Sequence, residues 1–305
     1  MSGLGIGVVT ATATVWLADL AAARRPLTSY RRAQVIATAA NLGGLGLGGL
    51  IAGVLAQWAG HALTLPFLVL GGWLVLALLA ISFAPETRAP TSPRPRYRPQ
   101  RVSVPPTSRA RFFAATTGAA IAFALFGLIT SLAPSFVAGT LHEPSHALAG
   151  AVSFAMFASA AAAQTLTGAR PPRQLLARGV PALVLGMGLL TLAVWLPAPS
   201  FAVFLAGDLV AGAGAGLMFK GAVGTVAEIS LPERRAEALA GVFLAAYVGL
   251  AGPVIGLGAL TQIASTRVSL LVFSGLLALG ILAAAPALLE RGDSRPSTRP
   301  QPLTH

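Results

Sequence analysis

Apolar residues fill this chain in runs of about twenty, the length at which a helix crosses a hydrocarbon core roughly 30 Å thick. Nine such spans are predicted, near 3–23, 33–57, 63–84, 111–140, 145–168, 179–197, 200–227, 237–264 and 268–289. A backbone surrounded by lipid must bond its N–H and C=O groups within its own segment, so each span is expected to be a helix. Their Ala- and Gly-rich texture suits helices that approach one another closely. The chain therefore reads as an all-α polytopic membrane protein with about nine transmembrane helices.

Polar residues punctuate the spans unevenly. Between the third and fourth lies the stretch 85–111, with seven prolines, seven arginines and a single acid, Glu86. Such a composition has no core to bury and predicts an extended linker. The organisation expected is a transmembrane part at 1–84, a basic linker at 85–110, a six-helix part at 111–290 and a polar tail at 291–305.

The charges between spans set an orientation. Of the 20 arginines, 19 fall in alternate connections and the tail, and only Arg267 falls in the other set. Basic residues accumulate on the cytoplasmic side of inserted helices. This places the C-terminus in the cytoplasm, the N-terminus outside, and the chain as a multi-pass protein of an inner or plasma membrane. A signal peptide at the first span is disfavoured, because that span has no basic leader and ends in arginines.

Composition narrows the chemistry. Over 305 residues the mean hydropathy is +0.76, and 10% of residues are charged against about 25% in ordinary soluble domains. A net charge of +12 follows from the cytoplasmic arginines and gives no reason to expect nucleic acid. Cysteine is absent, which rules out disulfides and thiolate metal sites. His61, His142 and His146 fall in predicted outer connections and His305 is the last residue. Zinc-protease, nucleophile-elbow and P-loop motifs are missing, so no enzyme activity, metal or cofactor is expected.

One pattern occurs twice, about 205 residues apart. A small-residue span closes on Ala18-Asp19, a basic turn reaches Arg31-Arg32, and a span with Gly44, Gly48, Gly49 and Gly53 follows. Later a span closes on Ala227-Glu228, a turn carries Arg234-Arg235, and a span with Gly249, Gly252-Pro253 and Gly256 follows. Widely separated copies of one helix pair are expected of a membrane carrier built from two related halves.

Taken together these features resemble the major facilitator superfamily, whose members have two six-helix halves joined by a long cytoplasmic loop. The nine spans correspond to helices four to twelve of that family, giving an incomplete N-terminal half and a complete six-helix C-terminal half. Gly44, Gly48, Gly49 and Gly53 resemble the glycine-rich antiporter motif, with glycine where proline is usual. Gly252, Pro253 and Gly256 keep the proline. Pro85-Glu86-Thr87 resembles the close of the family's sixth helix, and Glu228 with Arg235 matches an E-x6-R spacing of its sugar porters. The resemblance implies proton-coupled efflux of small organic molecules by alternating access. A truncated remnant of the fold, or a membrane interaction protein without transport, is the alternative. Oligomeric state is left open.

Candidate site residues follow from charge and from the resemblance. Asp208 and Lys220 are ionisable residues inside one span, and such residues are costly in lipid unless they serve a purpose. Twelve residues and roughly 18 Å of helix separate them, too far for a direct pair. The resemblance makes the first, fourth and seventh spans line a central cavity, which adds Thr12, Thr116 and Thr117 to the substrate or proton pathway. Asp19 and Glu228 with Arg31, Arg32, Arg234 and Arg235 are candidates for a cytoplasmic gate, or for interfacial charges that fix topology. The four-residue glycine spacing offers small faces for packing.

Overall fold

The computed structural model describes residues 13, 16, 29–84, 106–140, 145–196, 198, 200–231 and 234–289. Among these there is no strand, and eight helices are long and apolar enough to cross a membrane. They are α1 (Ser29–Trp58), α2 (Leu65–Ser82), α3 (Arg109–Ser135), α4 (His146–Leu166), α5 (Pro172–Trp195), α6 (Phe201–Ile229), α7 (Arg235–Leu260) and α8 (Thr266–Leu289). A short π-helical turn, Phe136–Thr140, continues α3. Apart from residues 13 and 16, the predicted span 3–23 lies outside the described residues, Thr12 and Asp19 included, as do the side chains of Arg31 and Arg32.

Helix ends differ from the predicted spans for local reasons. α5 starts at Pro172 rather than near 179, because a proline at the first position has no N–H to leave unpaired and its fixed φ suits a helix. Arg173 and Arg178 therefore ride on the first turns of a helix. The last residues of the predicted linker are also ordered, as a 3-10 turn at Pro106–Ser108 running into α3. Ser145 and Ser200 cap α4 and α6, each accepting a bond from a backbone N–H three residues on.

Helix α3 is the hub. It packs against α4, α6, α7 and α8, and most of its length is buried. Phe123 and Phe126 sit at its centre, with Phe157, Phe219 and Tyr247 edge-on or tilted around them. Glycine sets how close the other helices come. A Cβ added at Gly249 of α7 would run into Ala120 O of α3, and one at Gly127 of α3 into Leu250 O of α7. The α5–α6 seam is built the same way, through Gly186 against Ala211 and Gly214 against Leu183. In lipid no hydrophobic drive pulls two apolar helices together, so this close backbone contact is what selects one neighbour over another.

Helix α1 joins the bundle on α4. Gly46 lies against Phe154 and Phe157, and a Cβ at Gly53 would sit 2.5 Å from His146 O. At the end of this seam Gln57 Oε1 accepts the backbone N–H of His146 at 2.8 Å, capping the first turn of α4 from a neighbouring helix. Helix α2 packs on α1 and buries almost none of its side chains.

Candidate functional site

Asp208 lies on α6 with no exposed surface, and among the described residues neither carboxyl oxygen has a hydrogen-bond partner. The residues around it explain the burial. One turn before it on the same helical face, the Phe204 ring stacks on Phe136 at 4.0 Å and 9°. One turn after it, Gly212 brings α6 so close to α4 that a Cβ would lie 2.5 Å from Met156 O. On the adjacent face Gly207 presses on α5, where a Cβ would lie 2.8 Å from Leu190 N. Two glycine seams and an aromatic stack thus flank the buried Asp208 along α6. An unpaired carboxylate in such surroundings costs several kcal/mol, so the position is tolerated when a proton or a cation neutralises it.

Lys220, three turns further along α6, has a different environment. Its ammonium donates to Gln164 O at 2.5 Å, Gly168 O at 2.7 Å and Thr167 Oγ1 at 3.3 Å. These acceptors form the C-terminal end of α4, where Gly168 takes a left-handed φ of 59° and the last carbonyls have no partner further along the helix. A cation there also offsets the negative end of the α4 dipole. Lys220 therefore ties α6 to α4.

Thr116 and Thr117 border a groove of about 420 Å³ between α3, α7 and α8, with Gly252, Pro253 and Phe273 on its other sides. The Thr116 hydroxyl is buried there with no partner among the described residues. Asp208 and this groove are separate sites.

Glu228 lies at the far end of α6 and borders a polar cavity of about 260 Å³ with Arg111, Arg173 and Thr225. Arg234 and Arg235 are exposed at the start of α7 and do not border that cavity. The local E-x6-R spacing thus points to a neighbouring turn, while the arginines that share this cavity with Glu228 come from the starts of α3 and α5. Their position in basic connections was the available signal, and nothing in the spacing links them to Glu228.

The glycines divide in two. Gly49, Gly53 and Gly256 meet other helices, whereas Gly44, Gly48 and Gly252 have nothing beside them among the described residues. Among the described residues no group of His, Asp and Glu is arranged to hold a metal ion. Comparison with known protein families and with curated proteins finds no match. The resemblance to major facilitator carriers rests on the residues quoted above.

Proposed function

We propose that this protein is a secondary active transporter of small organic molecules, of the major facilitator type, in which Asp208 carries the coupled proton. The observation that carries this reading is a carboxyl side chain fully buried within a membrane-spanning helix and without a hydrogen-bond partner among the described residues. A static scaffold gains nothing from such a group, because an apolar residue of similar size would fill the space without the cost of desolvation. A carrier gains a group that holds a proton while enclosed and releases it when water reaches it. The enclosing seams are glycine contacts between whole helices, which suits motion of helices as rigid bodies. Positive charge at one set of helix ends supports an inner-membrane orientation with those ends cytoplasmic. Efflux is the direction suggested by the glycine-rich motif.

The test is flux. The full chain in proteoliposomes is given an imposed proton gradient and a panel of neutral and cationic organic solutes. Gradient-dependent uptake of at least one solute is expected, and Asp208→Asn is expected to remove it. A stably folded protein that moves none of them under a gradient would overturn the proposal and favour a membrane protein without transport.

A further inference from the structure

We propose that Phe136 and Phe204 form an aromatic lid that governs access of water, and with it protons, to Asp208 from the end of the bundle where α6 begins. This deepens the reading of Asp208 as the proton-carrying group and rests on it. Phe204 stands one helical turn from Asp208, between the carboxyl and the Ser200 cap, and both rings of the stack are essentially fully buried. The flanks are shut by backbone contact, at Gly207 and Ala211 toward α5 and at Gly212 toward α4. Toward the start of α6, the turn next to Asp208 carries the stack itself.

The segment that carries Phe136 is built to move. Pro134 has no N–H to give to the preceding turn of α3, and Phe136–Thr140 then widens into a π turn. Just before the proline, Thr130 Oγ1 donates to Phe126 O and Gly127 O, and Ser131 Oγ donates to Gly127 O. Side-chain bonds of this kind compete with the helical ladder and favour bending. Phe204, in contrast, stands in the regular, capped first turn of α6. Movement of Phe136 off Phe204 unstacks the lid while α6 stays in place. Four weaknesses within residues 130–140, the helix end bearing one ring, are hard to explain if that ring is only filling.

The chain has no cysteine, so a single thiol placed at the site reports on it directly. Asp208→Cys in the detergent-solubilised full chain is treated with a charged, water-soluble thiol reagent, and the modification rate is measured. The rate is expected to be low with the lid intact and to rise about tenfold when Phe136→Ala or Phe204→Ala is added, as expected for losing an aromatic pair that favours the closed state. Phe136→Leu and Phe204→Leu keep the apolar bulk and serve if an alanine variant fails to fold. Phe219→Leu, which disturbs a ring packed on Phe123 further along α6, is expected to leave the rate unchanged. Rapid modification with the lid intact, no acceleration in the lid variants, or equal acceleration by Phe219→Leu would each overturn the lid. Lid-dependent labelling without gradient-driven flux would sink the transport reading alone. Flux with lid-independent labelling would sink the lid alone.

Discussion

Helices α2 and α3 are both apolar enough to cross a membrane, yet the first buries almost nothing and the second is the centre of the bundle. Leu65–Ser82 presents Leu, Val, Phe and Trp side chains on all sides, and Phe67, Trp73 and Leu74 are largely exposed. Arg109–Ser135 places Gly118, Gly127 and a series of alanines among its phenylalanines, and α7 reaches its backbone at Ala120. Hydropathy decides that a helix enters the bilayer. Small residues decide which helices then touch, because lipid tails compete equally for large apolar side chains. The same contrast holds within α1, where Gly46, Gly49 and Gly53 meet α4 and the neighbouring Gly44 and Gly48 meet nothing among the described residues.

Substitutions that ignore this difference should have the largest effects. Gly249→Leu drives a side chain into Ala120 O and is expected to cost about 3 kcal/mol or to prevent folding, read as loss of the monodisperse protein in detergent. Gly252→Leu, three residues away, points into open space and should leave thermal unfolding nearly unchanged. If both fold equally well, small-residue contact does not determine the bundle. Lys220→Met removes a cation from three acceptors at the end of α4 and should lower stability by about 2 kcal/mol, while Lys220→Arg should recover part of that. Gln57→Ala uncaps the first turn of α4 from outside and should cost about 1 kcal/mol or less, since that end of the helix is exposed to solvent. Leu76→Ala on α2 should change stability by less than about 0.5 kcal/mol, because Leu76 touches little beyond its own helix. A large loss there would mean that α2 packs against something in the folded state.

Much of this contrast could be read before any coordinates, and some could not. The eight described helices fall on the predicted spans, since unbroken apolar length is a strong signal and backbone bonding in lipid leaves one solution. Asp208 and Lys220 stood out for the same reason, as charges where charge is expensive. Their environments did not. Lys220 finds its acceptors more than fifty residues back in the chain, and nothing at Gln164 or Gly168 marks them as partners. Gly44 and Gly53 look alike in sequence, and only the neighbouring helix tells them apart. Helices that are apolar all round carry no stripe to point at their partners, so periodicity falls silent where packing begins. The cavity that Glu228 shares with Arg111 of α3 and Arg173 of α5 was hidden in the same way.

The proposed proton link at Asp208 is tested most directly by comparing two kinds of flux in the same proteoliposomes. Counterflow exchanges labelled for unlabelled solute without net proton movement, whereas accumulation against a gradient requires it. For a solute that the wild-type protein carries, Asp208→Asn should retain counterflow and lose gradient-driven accumulation. Accumulation by the Asn variant at the wild-type level would show that the buried carboxyl does not carry the coupled proton.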